Sequence, residues 1–309
     1  MKKYRQIDES EISNQFLISE STSENEMKIV QKGLKDHNKK YPGGELDIPT
    51  PDVSLVLKDD KGNVVGGVIT SMLTGIMHLE VLWVDEKYRG RGYGRDLVLQ
   101  AERIGKEKGY PASQTWTFSF QAPEFYQRIG YNIVGIFEGY TDGIIEYILL
   151  KKFRSIEGLE NKDIEPNRNG FTISEDKSKE SMEILHEGLR KYVRKHVGEL
   201  RKNYPGIGIK LIGKNAEGQV IGGLQAYTTL KAVHIESLWI DGKYRNQGYG
   251  RELLMTAERI ATDNYCISGL VNVLSFQSPE FFQNHGYKIF GISDGYPNAI
   301  KEYFLIKKF

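Results

Sequence analysis

At 309 residues, with 39% hydrophobic content and a formal net charge of +1, the chain has the length and composition of two ordinary globular domains. So balanced a charge excludes a bulk field that would attract nucleic acid or anionic membrane, and no apolar run approaches the ~20 residues of a membrane span. The lone Cys266 excludes an internal disulfide and fits a reducing, cytoplasmic setting, and the segment Met1 to Asp8 lacks the apolar core of a signal peptide.

A strand at 15–19 is expected to open the chain, followed by a helix near 23–40 with Met27, Val30 and Leu34 on one face. A loop from Tyr41 to Pro51 comes next, then strands at 53–58 and 63–73 around the turn Asp59 to Asn63. A central strand at 76–84 leads through a glycine-rich loop into a helix at 92–108. A strand near 113–118, a helix near 121–129 and strands near 131–138 and 143–152 complete this half.

The pattern then recurs. Residues 78–153 align with 234–309 without a gap at an offset of 156, and about half the positions are identical. Upstream, Phe16 to Glu20 matches Phe171 to Glu175 at an offset of 155. So long a period means two complete domains, expected at 1–153 and 171–309 and joined by the polar linker 154–170. The second copy is expected to carry a helix at 178–195, strands near 207–213, 219–229 and 232–240, and a helix at 248–262. Leu253, Leu254, Ala257, Ile260 and Ala261 form the apolar face of the last. Helices flanking a mostly antiparallel sheet make the fold class α+β.

The chemistry concentrates after each central strand, in Arg89-Gly90-Arg91-Gly92-Tyr93-Gly94-Arg95 and its copy Arg245-Asn246-Gln247-Gly248-Tyr249-Gly250-Arg251. Glycines bare the backbone amides, a helix start adds unpaired N–H groups, and arginine suits phosphate, so each loop suits a pyrophosphate. The spacing is that of neither a Walker loop nor a dinucleotide fingerprint.

The pattern Arg-x-x-Gly-x-Gly after an apolar strand resembles the acetyl-CoA loop of the GNAT N-acetyltransferase superfamily. The segments Ala122 to Tyr131 and Ser278 to Tyr287 are similar to that family's helix-then-strand segment, so the resemblance covers nearly the whole chain. It implies two GNAT folds, each a twisted, mostly antiparallel sheet splayed at the acetyl-CoA site. It implies acetyl-CoA as cofactor, held by backbone at Leu82, Trp83 and Val84 and by the first loop, with Leu238, Trp239, Ile240 and the second loop as the matching set. It further implies Tyr126 as the general acid that protonates the leaving thiolate, and Ser119 where many members carry a cofactor-binding Asn. Glu80 is the candidate base, sharing a face with His78, Leu82 and Val84 if the strand has no bulge, with an ion pair as the alternative. No metal is implied.

The halves differ at these places: Tyr126 corresponds to Phe282, Gly90 to Asn246, Arg91 to Gln247 and Thr117 to Val273. The expected activity is acetyl transfer from acetyl-CoA to a primary amine of a small molecule or peptide, chiefly in the first half. A CoA-sensing or scaffolding module is the alternative. The acidic loop Tyr41 to Asp52 is expected to border the acceptor. The halves are expected to dock as an internal pseudo-dimer, in a monomer or a homodimer.

Overall fold

The computed structural model describes residues 16–41, 51–153, 167–168 and 170–309. Most of the predicted acceptor loop and of the linker lies outside the described residues. The first half contributes β1 (Leu17–Glu20), α1 (Glu24–Asn38), β2 (Pro51–Lys58), β3 (Val64–Leu73), β4 (Ile76–Val84), α2 (Tyr93–Glu107), β5 (Ala112–Phe118), α3 (Pro123–Arg128), β6 (Asn132–Phe137) and β7 (Glu146–Lys152). After the two-residue β8 (Asn167–Arg168), the second half repeats them. Its elements are β9 (Phe171–Glu175), α4 (Lys179–Asn203), β10 (Gly208–Lys214), β11 (Val220–Thr229), β12 (Ala232–Ile240), α5 (Tyr249–Asp263), β13 (Ser268–Leu274), α6 (Pro279–Asn284), β14 (Lys288–Ser293) and β15 (Glu302–Lys308). No described helix is long and apolar enough to cross a membrane.

All described strands join one sheet in the order β1-β10-β11-β12-β13-β15-β14-β6-β7-β5-β4-β3-β2-β9-β8. The packed units do not follow the contiguous repeats. Strand β1 of the first half pairs antiparallel with β10 of the second, from Leu17↔Lys214 to Glu20↔Leu211. Reciprocally, β9 pairs with β2, from Leu55↔Glu175 to Lys58↔Thr172. The helices follow their strands: α1 lies on β11 and β12, and α4 on β3 and β4. Each half gives its opening strand and helix to the other. Side chains confirm the exchange, since Phe16 stacks on Tyr249 with ring centroids 4.1 Å apart, and Phe171 meets Tyr93 at 4.8 Å.

Two mid-helix glycines explain how close this contact is. Glycine inside a helix costs about 1 kcal/mol relative to alanine, so it needs a compensating reason. A β-carbon on Gly188 of α4 would lie 2.2 Å from the ring of Trp83, and one on Gly33 of α1 would lie 2.2 Å from Trp239. Each indole therefore sits directly on the other half's helix backbone.

The opposite face of the sheet carries α2 and α5. The first buries Leu97, Val98 and Ala101 against Leu55, Val68 and Met77, and the second buries Leu253, Leu254 and Ala257 against Leu211, Leu224 and Ile235. Helix α4 runs to Asn203, beyond the predicted end near 195, because Val193, Val197 and Leu200 extend its apolar stripe. They join a cluster with Phe118, Phe120 and Tyr140 of the first half. At the seam β6 and β14 pair at Gly135↔Gly291, where a β-carbon on Gly291 would stand 2.6 Å from the Gly135 Cα.

The packing generates a stability prediction. Gly188→Leu should drive α4 off Trp83 and cost about 1–3 kcal/mol, as overpacking does. Gly208→Leu, whose β-carbon meets nothing within 4 Å, serves as the control. Thermal unfolding should show a lower midpoint for the first variant only; equal midpoints would contradict the contact.

Candidate active site

The site begins where two neighbouring strands part. Strands β4 and β5 run parallel and pair only at Met77↔Ser113, His78↔Gln114 and Leu79↔Thr115. Beyond Leu79, β4 leaves β5 while remaining paired to β3 through Val84. The departure coincides with a β-bulge. The β3–β4 register shifts between Ile69↔Val81 and Thr70↔Leu79, leaving Glu80 without an opposing residue. Glu236 is the corresponding unopposed residue of β12.

The bulge corrects the predicted alternation. Leu79 and Met77 join the α2-facing core with Leu82 and Val84, and Glu80 is exposed instead of sharing their face. Its carboxylate accepts a hydrogen bond from the Ser71 hydroxyl. His78 is buried, and desolvation lowers its pKa despite the carboxylates of Glu302 and Glu80.

Between the parted strands opens a cavity of about 670 Å³. Leu82, Trp83 and Val84 line one wall, and Thr115, Thr117 and Tyr126 line the other. Arg89, Gly90, Gly92, Tyr93, Gly94 and Arg95 close one end, and Glu80 also borders the space. Gly92 caps α2 with φ 88°, a left-handed conformation that favours glycine. Asn246, in place of Gly90, holds φ 61°, which asparagine tolerates better than most residues. Gly94 is different: a β-carbon there would meet only Phe125, at an ordinary 3.7 Å. The fold does not require glycine at 94, and its absent side chain leaves the first turn of α2 bare.

Arg89 Nε donates to the Val84 carbonyl at 2.8 Å, tying the loop to the end of β4, and Arg245 Nε repeats this with Ile240 at 3.0 Å. Arg91 does not line the cavity; its guanidinium donates to the Lys87 carbonyl at 3.2 Å. Gln247 makes the same 3.2 Å bond to the Lys243 carbonyl, which is how glutamine can replace arginine there. Ser119 also stands outside the cavity lining, with its hydroxyl accepting from the Ile145 N–H at 3.4 Å.

Tyr126 is buried on α3, and burial pushes its pKa up to about 12, so it keeps its proton at neutral pH. The Thr115 side chain lies beside the Tyr126 hydroxyl and offsets part of that rise. Thr115 in turn donates to the Leu79 carbonyl at 3.1 Å, which leaves its oxygen free to accept from Tyr126. This pair hangs on the last residue of β4 that β5 still engages.

The second half has a matching cavity of about 570 Å³. Leu238, Trp239, Ile240, Arg245, Asn246, Gly248, Tyr249, Gly250 and Arg251 line it, and Gln247 does not. Phe282 holds the pose of Tyr126, edge-on to Tyr287 at 5.7 Å as Tyr126 is to Tyr131 at 5.7 Å. Val271 stands where Thr115 does, so both polar members of the first pair are absent together.

The exchange brings in residues that sequence reasoning missed. Leu189 and Tyr192 of α4 line the first cavity, and Leu34 and His37 of α1 line the second. Tyr192 donates to the Phe120 carbonyl at 2.8 Å, and the Arg89 guanidinium lies over its ring at 4.8 Å. His37 Nδ1 lies 3.4 Å from Arg245 Nη1. The signal that could have found them is the paired Gly33 and Gly188, costly in helices unless a bulky partner presses on them.

A family model described as the acetyltransferase (GNAT) family matches residues 20–131 and again 178–287. The chain belongs to the GNAT acetyltransferase family. It is 38% identical over 94 residues to the blasticidin-S acetyltransferase of Streptomyces morookaense, a match covering 30% of this chain and 69% of that protein. It is 26% identical over 84 residues to an acetyltransferase of Agrobacterium fabrum, covering 27% of this chain and 61% of the relative. Among solved structures, an acetyltransferase from Bacillus cereus superposes with TM-score 0.37 at 29% identity, over 44% of this chain and 96% of that one.

The comparison of the two GNAT halves yields a test by transplantation. The double variant Thr115→Val/Tyr126→Phe installs the second half's apolar pair in the first. Replacing both partners of a buried hydrogen bond by similar shapes is nearly neutral, whereas Thr115→Val alone strands the Tyr126 hydroxyl at about 1–3 kcal/mol. Denaturant unfolding should find the double variant more stable than the single one; the reverse order would refute the pairing.

Proposed function

We propose that the first cavity binds acetyl-CoA and transfers its acetyl group to a primary amine of a small molecule or peptide. The observation that carries this reading is the meeting, in one cavity, of a bare phosphate-binding helix start, a strand edge released from its neighbour, and a buried protonated tyrosine. The residues present fit the cofactor. Gly94 leaves room for a phosphate at the α2 N-terminus, where N–H groups and the helix dipole favour anions. Backbone at Leu82 to Val84, free of β5, suits the amides of a pantetheine arm and the thioester oxygen. Bound there, the cofactor supplies an activated acetyl thioester.

The chain's own residues supply the rest. An alkylamine near pKa 10 is mostly charged at neutral pH and must shed a proton before attack. Glu80, pushed out of the strand by its bulge, is placed to accept that proton directly or through water. Tyr126, which keeps its proton at neutral pH, would supply that proton to the sulfur that leaves the thioester. In the second half Phe282 has no proton to give, which favours cofactor binding without comparable turnover there. The name of the Streptomyces relative supports a small-molecule amine as acceptor.

Two variants test the reading. Tyr126→Phe should cut turnover about 10²–10⁴-fold, the usual loss for a positioned general acid, with thiol release from acetyl-CoA as the readout. Gly94→Asp should weaken CoA binding at least about tenfold by calorimetry while preserving the melting midpoint, because an acid in a helix's first turn suits its dipole. Unchanged turnover in the first variant, or unchanged affinity in the second, would overturn the corresponding assignment.

A further inference from the structure

A third cavity, of about 420 Å³, lies on the seam between the halves. The first half contributes Tyr140 and Glu146, and the second contributes Arg201, Tyr204, Tyr227 and His234. Its floor is a hydrogen-bonded chain. Tyr140 donates to Glu146 Oε2 at 2.8 Å, and its oxygen stands 2.9 Å from His234 Nε2. Tyr227 stacks on His234 with centroids 4.8 Å apart and an interplanar angle of 16°.

The pseudo-symmetric counterpart shows what is unusual. Glu302 occupies the place of Glu146 and is saturated. Its Oε2 accepts from Tyr296 at 2.7 Å and Gln114 at 2.9 Å, and its Oε1 accepts from Asn272 at 2.7 Å. Around Glu146 the two amides are replaced by Leu270 and Trp116. Only Tyr140 remains, and the second oxygen of Glu146 has no hydrogen-bond partner among the described residues. A carboxylate that is 9% exposed, on a cavity wall, with one oxygen open to the cavity and without the amide donors of its counterpart, is available to a donor from a ligand. Arg201, on the same cavity, is exposed and forms no salt bridge with any described residue. The two opposite charges are separated by aromatic walls.

From this we infer that the seam cavity binds a small zwitterionic amine, its ammonium on Glu146, its anionic group on Arg201, and its body against Tyr227 and Tyr204. The site needs both halves in one chain, and it requires no turnover. Tyr227 adjoins Glu236, which lines the second cofactor cavity, so the ligand stands beside that cavity.

Charge states agree with this geometry. Burial raises Glu146 to about 7. The titratable groups facing it stay fixed between pH 6 and 8, because burial lowers His234 to about 4 and raises Tyr140 and Tyr227. Ammonium binding should therefore strengthen as pH rises through 7.

The test is calorimetry on the full chain without acetyl-CoA, using tyrosine, phenylalanine, tryptophan and 4-aminobutyrate as zwitterionic probes. Phenethylamine and 3-phenylpropionate each lack one charge. At least one zwitterion should bind, more tightly at pH 8 than at pH 6, and about tenfold more tightly than either singly charged probe. Glu146→Gln should abolish the pH dependence, and Glu146→Gln and Arg201→Ala should each weaken binding about tenfold. The Gly94→Asp variant should bind the probe unchanged, which separates this site from the cofactor assignment. Absence of binding by every zwitterion at ~10 mM, or binding indifferent to both seam variants, would overturn the inference.

Discussion

The contact on which the structure depends is an indole pressed against a bare helix backbone, made twice. Trp83 lies on Gly188 and Trp239 on Gly33, each across the boundary between repeats. The contact fixes α4 over the first sheet half and α1 over the second, and it brings Tyr192 and His37 to the arginines that follow β4 and β12. Each of the two cavities beside the parted strands therefore has a wall that its own repeat does not encode. A β-bulge at Glu80 and another at Glu236 supply the second condition, because they accompany the parting of strands that makes room for a ligand.

On this nearly symmetric scaffold the chemistry is asymmetric, and the changes come in coherent groups. Tyr126 with Thr115 becomes Phe282 with Val271, so that neither half buries an unmatched hydroxyl at this place. Glu302 keeps two amide donors, whereas Glu146 has lost both to Leu270 and Trp116. The first group leaves the tyrosine and threonine hydroxyls in the first cavity alone of the two. The second leaves an underbonded carboxylate on the seam.

Much of this was legible in the residues. Apart from the end of α4, element boundaries fell within a few positions of prediction because capping, periodicity and turn chemistry are local. The glycine loops were legible as strand-to-helix turns because Gly92 and Gly248 take the left-handed backbone that glycine favours. The exchange was not legible. Phe16-Leu17-Ile18-Ser19-Glu20 and Phe171-Thr172-Ile173-Ser174-Glu175 are so alike that either strand suits either sheet edge, and no local rule chooses between them. Nor was the bulge: period-two alternation assumes an unbroken ladder, and one extra residue reassigns Leu79 and expels Glu80. Thr115 escaped notice because a strand threonine is unremarkable until a tyrosine hydroxyl is found beside it.

The exchange is tested most directly by crosslinking across paired strands. Lys58 and Thr172 are direct partners in β2 and β9, at a Cα separation typical of disulfides. If β9 instead stayed with its own repeat, Thr172 would face Lys214, where Leu17 now pairs. Two variants carry cysteine at 172, one with a second at 58 and the other with a second at 214; the native Cys266 is buried. After mild oxidation, peptide mapping of the monomeric fraction should find the 58–172 bridge and no 172–214 bridge. The opposite result would contradict the reciprocal exchange and, with it, the composite walls of the two cavities.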